Sequence, residues 1–201
     1  MKTLIEIQYL PGIAYFKIIK DAEVVIIARY EHYIKQTLRN RCFINTSQGK
    51  AMMVVPVTVP HTLTRTCDVR IDYAQRWLNN HWRTLQTAYG RAPFFEYYKD
   101  DLHDCLFHKH VFLYDMNMAL LSLCLKWLRW SKEIVETQTY AQLAEDARDF
   151  RNVIKHDNYA ESNKYHQPIA YQQVFGNMFV NNLSFIDLLF CTGPSAEDFI
   201  G

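Results

Sequence analysis

At 201 residues, 49% of them hydrophobic, the chain can bury a sizeable core but is too short for two independent ones. A net charge of +1 with 21% charged residues supplies no global field to recruit nucleic acid or an anionic membrane, so any anion must be bound locally. Five scattered cysteines without C-x-x-C spacing argue against a disulfide framework or zinc knuckle and point to reduced thiols in the cytoplasm.

Thr3 to Gln8 reads as a strand that Pro11-Gly12 ends, and Ile13 to Lys20 as a short helix. Met1 to Glu6 reach an acidic side chain before an apolar run of signal-peptide length develops. Val24 to Ala28 is an unbroken apolar run, the pattern of a parallel strand covered on both faces. Arg41 to Ile44 and Met52 to Val57 flank the turn-rich Asn45 to Gly49 and suggest a hairpin, with Pro56 near its end.

Asp72 to Tyr89 repeats its large apolar residues at helical steps and stops at Gly90. Pro93 opens a helix over Phe94 to Phe107, and Val111 to Leu128 gives a long buried one. Asp115, Asn117, Lys126 and Arg129 in and just after that last run disfavour a bilayer span, so no membrane insertion is expected. Ile134 to Thr137 predicts a late strand, Tyr140 to Phe150 a surface helix, and the polar 151–167 stretch a mobile loop. Ser184 and Asp187 have capping spacing before an apolar helix that Gly193-Pro194 stops. The expected fold is α/β: a strand-helix-strand opening with a mixed sheet, then a mainly helical second half packed against it. Residues 1–201 form one expected domain, strand-rich to about residue 60 and mainly helical from about residue 70.

The stretch from Tyr30 to Arg41 sets three cations, a carboxylate, a histidine and amides between buried strands. Lys35 and Arg39 share a face if this piece is helical, and with Arg41 they make a candidate anion clamp, since arginine grips phosphate or carboxylate through paired hydrogen bonds. The alternative is a solvated basic face balanced by Glu31. Glu31 is the first candidate for acid-base work and otherwise an ion-pair partner of Arg39 or Arg41. His81, one turn after Trp77, is either a second catalytic candidate or a core histidine bonded to a carbonyl.

Several motifs together resemble the WbqC-like family: Gln8-Tyr9-Leu10-Pro11 with Tyr15-Phe16, Glu31-x-Tyr33-x-Lys35-Gln36-x-x-Arg39-Asn40-Arg41, and Val55-Pro56-Val57. The pattern continues through Trp77-x-x-x-His81, Ala88-Tyr89-Gly90-x-Ala92-Pro93-Phe94-Phe95-x-Tyr97-Tyr98, and Asn182-Leu183-Ser184-x-x-Asp187-Leu188-Leu189-Phe190. Tyr9-Leu10-Pro11-Gly12-Ile13 departs from the tryptophan-bearing Q-P-x-x-x-P-W form of many members. The resemblance implies a group-transfer role on sugars in surface-polysaccharide (O-antigen-type) biosynthesis. It adds Gln8, Tyr15, Gln36 and Asn40 to Lys35, Arg39 and Arg41 as ligand-binding candidates.

His103, Cys105, His108 and His110 diverge around a helix and find no second ligand pair, so no metal is expected. Cys42 beside Arg41 is a candidate nucleophile or, more simply, a buried strand residue. The Tyr89 to Tyr98 aromatics suit a sugar face or a core. The function expected is group transfer from an anionic donor, a nucleotide sugar or acyl donor, held by the Lys/Arg cluster. The alternative is a non-catalytic anion- or partner-binding protein.

Overall fold

The first strand, β1 (Lys2–Ile5), runs parallel to β2 (Val24–Ile27), and helix α1 (Ile13–Lys20) connects them. The structure is a computed structural model that describes residues 1–139, 146–155 and 164–201. In β2 the continuous valine and isoleucine run is covered on both faces. Val25 and Ile27 join the cluster that holds Phe16 and Ile19 of α1, while Ile26 packs with Leu4 and Ala28 on the other side.

β3 (Arg41–Thr46) and β4 (Gly49–Val54) form the expected antiparallel hairpin, with Thr46 opposite Gly49. Gly49 supplies the left-handed residue that closes the tight turn, at φ +93°. The short strands β5 (Val57–Thr58) and β6 (Arg70–Ile71) pair next, followed by α2 (Trp77–Tyr89), α3 (Phe95–Phe107) and α4 (Leu113–Leu128). β7 (Glu133–Glu136) then adds to β2 and β8 (Ala147–Asp149) to β1, both parallel, giving the order β7-β2-β1-β8. The α/β reading holds, with parallel and antiparallel pairings in separate sheets. Helix α5 (Phe185–Thr192) closes the described core.

Several boundaries move for local reasons. The helix read from Asp72 starts at Trp77, because the Asp72 carboxylate accepts the Ala74 N–H at 2.8 Å and makes a turn instead. Val111 stays outside α4 because its carbonyl accepts from Ile71 N. Of the helix expected over 140–150, residues 140–145 lie outside the described residues. Ala147–Asp149 is strand rather than helix, since it pairs with the otherwise open ladder of β1. Of the loop expected over 151–167, residues 156–163 lie outside the described residues, while Ile154 and His166 on either side are buried.

Two large apolar clusters fill the interior, beside the small group of Leu4, Ile26 and Ala28. One centres on β1, β2 and α1; the other lies among the hairpin, α2 and α3. α4 and α5 serve both: Leu121 and Leu188 face the first cluster, Leu120 and Ile186 the second. Gly193 ends α5 at φ +59°, where a Cβ would sit 2.4 Å from the Phe94 ring. That fit explains the stop signal, and a 3₁₀ segment continues from it over Gly193–Phe199.

Candidate functional site

The Tyr30 to Arg41 stretch is not helical; up to Asn40 it is an irregular loop tied down along its length, and Arg41 opens β3. Tyr33 N bonds Thr64 O, Thr66 N bonds Glu31 O, and Tyr9 N bonds Leu38 O. The Lys35 and Arg39 side chains therefore do not share a helix face. Lys35 and Gln36 are exposed on a surface turn, whereas Arg39 is 1% exposed and gives its Nε–H to Glu31 at 2.7 Å.

That ion pair belongs to a chain of buried polar groups. Arg39 also donates to Asn152 Oδ1 at 2.9 Å, Asn152 N donates to Glu6 at 2.9 Å, and Gln8 Nε2 donates to the other Glu6 oxygen at 2.7 Å. Burial raises the Glu31 pKa, and the Arg39 guanidinium opposes that rise. Tyr15 is fully buried on α1, and desolvation, followed by Glu6, holds its hydroxyl well above the usual range. Asn40 is buried and spends its Nδ2 on the Val55 carbonyl at 2.9 Å.

Gln8 connects this network to a groove at the start of α1. The groove encloses about 640 Å³ of non-protein space, part of it open solvent, and is lined by Gln8–Ala14, Leu38, Arg41–Phe43, Ile154–Lys155, and parts of 166–184. It lies past the carboxyl end of β1, between segments leading to β2 on one side and from β8 on the other, the kind of place where parallel sheets collect ligands. Its floor is a clasp: Ser184 Oγ donates to Leu10 O at 2.8 Å and Phe185 N to Pro11 O at 2.8 Å. Leu10 is held there at φ +42°, a strained value for a branched side chain. No side chain caps α1 at Gly12, and a helix cannot satisfy its own first N–H groups, so this end carries partial positive charge.

Among the described residues, four polar side-chain atoms without a partner belong to groove-lining residues: Gln8 Oε1, Arg41 Nε, His166 Nε2 and Asn182 Nδ2. Buried polar groups are normally paired, so four orphans among the residues of one opening make it the candidate site. Neither Glu31 nor His81 lines it. His81 Nδ1 lies 3.1 Å from the Tyr9 hydroxyl, the ring bonds the Val54 backbone, and burial pushes its pKa down to about 4.

A profile of the WbqC-like protein family matches residues 7–170 and, overlapping, 149–199. The chain belongs to the WbqC-like protein family. An uncharacterized protein of Mycobacterium tuberculosis, Rv1507c, is 26% identical over 98% of this chain and 96% of its own length. No solved structure matches at a significant level.

In this WbqC-like protein the structure brings together Gln8, Glu31 and Arg39 through Glu6 and Asn152, and sets Gln8 and Arg41 on the groove. It leaves Lys35, Gln36 and His81 off it. Sequence reasoning missed Glu6, Lys155, His166 and Asn182. Glu6 had a signal, a carboxylate between two isoleucines, and Asn182 lies inside a quoted family motif. Cys42 is buried in β3 with its thiol pushed well up by desolvation, which fits a packing role. Among the described residues no group of three or more His, Cys, Asp or Glu could hold a metal ion, and no helix is long and apolar enough to cross a membrane. Of the Phe94 to Tyr98 aromatics, Phe95 is buried and Tyr97 is exposed.

Proposed function

We propose that the groove binds the anionic part of an activated donor, a nucleotide sugar or acyl donor, and that the protein is a group-transfer enzyme of surface-polysaccharide (O-antigen-type) biosynthesis. The observation that carries this reading is the convergence of unpartnered polar groups on one opening beside a helix N-terminus. Arg41 and Lys155 supply the cations, with the Arg41 Nε–H available for a charge-assisted bond. Gln8 takes a different role. Its Nε2 is committed to the Glu6 carboxylate, which only accepts, so Oε1 faces the ligand as an acceptor and asks for an N–H or O–H. Glu31 with Arg39 then holds the loop behind the groove, and His81 braces Tyr9. Five unpaired cysteines fit a reducing, cytoplasmic setting.

Thermal shift with nucleotides, nucleotide sugars and acyl-coenzyme A thioesters tests the reading. At least one such compound raises the wild-type Tm, and Arg41→Ala weakens its binding roughly tenfold or more, the worth of one charge-assisted hydrogen bond. If none stabilises the wild type, the donor-binding reading falls. The second reading, a non-catalytic protein that binds an acidic partner segment, draws on the exposed Ile169 and Met178 beside groove-lining Pro168 and Phe179. Stabilisation by an acidic peptide and by none of the donors would favour it.

A further inference from the structure

The anion-binding reading leaves two of the four groove residues, His166 and Asn182, unused, and His166 is the one that can move a proton. His166 is 7% exposed, its Nε2 has no partner among the described residues, and the ring hydrogen-bonds the backbone at Ile200. A ring nitrogen that donates to a carbonyl keeps its proton there, so the lone pair sits on the other nitrogen. Among the described residues, Lys17 of α1 is a cation that disfavours an imidazolium there, and Arg41 and Lys155 share the groove lining. Desolvation, then Lys17, hold the His166 pKa below its ordinary value. The groove thus offers a second acceptor besides Gln8 Oε1, and this one can take a proton away.

We propose that His166 is the catalytic base of this groove, its Nε2 removing the proton from the N–H or O–H that attacks the donor. The proposal rests on the group-transfer reading above. As the attacking nitrogen or oxygen forms its bond to the donor's electrophilic carbon, its N–H or O–H bond breaks and the proton passes to Nε2. The bond from carbon to leaving group breaks with its electron pair, and the imidazolium returns the proton to that leaving group. The nearby Lys17 ammonium favours that return.

Two measurements on the whole chain test it. Diethyl pyrocarbonate carbethoxylates an unprotonated imidazole nitrogen, releasing ethanol and carbon dioxide, and peptide mass spectrometry locates the product. His166 is expected to react at a rate that stays level through mild acidification, and inorganic pyrophosphate is expected to protect it. A His166 that stays unmodified, or whose rate falls on mild acidification, overturns the assignment. Modification without protection supports His166 as the accessible acceptor and overturns the anion-binding reading instead. The second measurement is hydrolysis of 4-nitrophenyl acetate, in which a base activates water. His166→Gln removes the ring base and is expected to lower the rate roughly 100-fold or more, whereas His61→Gln leaves it unchanged. Equal rates for wild type and His166→Gln overturn the proposal. A His166→Asn variant with the same loss and an unaltered Tm excludes misfolding as the cause.

Discussion

At the scale of single residues, burial decides which of the polar side chains can act and which are held. His81 shows the second case: its Nδ1 lies against the Tyr9 hydroxyl, and burial keeps the ring neutral, its pKa about 4 against an ordinary 6.5, although the bond to the Val54 backbone opposes that shift. Because the folded-state pKa is depressed, the unfolded chain binds the proton first as the solution is acidified. The stability that follows is complete above the ordinary histidine pKa and is lost as pH falls towards about 4, a loss on the order of 3 kcal/mol. Glu31 and Asp187 run the other way. Desolvation raises both, so their contributions are present at low pH and fade as pH rises through their folded-state values. Comparing wild type with His81→Gln isolates the histidine. Urea midpoints at a series of pH values should show wild-type stability falling relative to the variant as pH drops from neutral to about 4. A gap that stays constant over that range would show that His81 titrates normally.

At the scale of elements, the buried carboxylate on α5 does more than its sequence spacing suggests. Ser184 and Asp187 resemble a helix cap, yet Ser184 turns its hydroxyl to Leu10, and Asp187 accepts from Tyr89 at 2.7 Å, Tyr171 at 2.7 Å and Gln173 at 3.2 Å. One side chain thereby joins α2, α5 and the returning 171–173 segment that borders the groove. Asp187→Asn keeps the shape but sets an amide donor among hydroxyl and amide donors. It should cost about 1–3 kcal/mol and raise amide hydrogen exchange around Tyr171 to Val180 beyond the global change. Uniform exchange with unaltered stability would remove Asp187 from that role. The same elements show what the sequence could and could not convey. Local pattern located α1, β2, the hairpin, α3 and β7, because each buries a face with its own period. It misread Ala147–Asp149, whose strand form depends on the distant edge of β1. It also grouped Lys35 with Arg39 by spacing, when the loop's ties to Thr64, Thr66 and Tyr9 send one outward and the other to Glu31. The groove was illegible for a related reason. Its lining comes from widely separated parts of the chain, and of the candidates only Gln8, Arg41 and Cys42 fall on it.

At the scale of the whole molecule, the two apolar clusters raise the question of whether the strand-rich and helical parts are independent. We propose that residues 1–201 behave as one folding unit. The argument lies in the helices between them. α4 presents Leu121, Cys124 and Leu128 to the sheet-side cluster and Leu113, Met116 and Leu120 to the other, and α5 divides Leu188 and Leu189 from Ile186 and Phe190 in the same way. Neither cluster can open without stripping one face from both helices, and Tyr98 and Trp127 touch both clusters as well. Trp77 and Trp82 report on the hairpin side, Trp130 on the sheet side and Trp127 on both. Tryptophan fluorescence and far-ultraviolet circular dichroism should therefore lose their native signals in one coincident urea transition. Leu120→Ala and Leu121→Ala, which face different clusters from α4, should each cost about 2–5 kcal/mol and move both signals together. If Leu120→Ala shifted only the fluorescence of a Trp130→Phe, Trp127→Phe protein and left part of the circular dichroism transition in place, the clusters would be separable and the single unit would have to be given up.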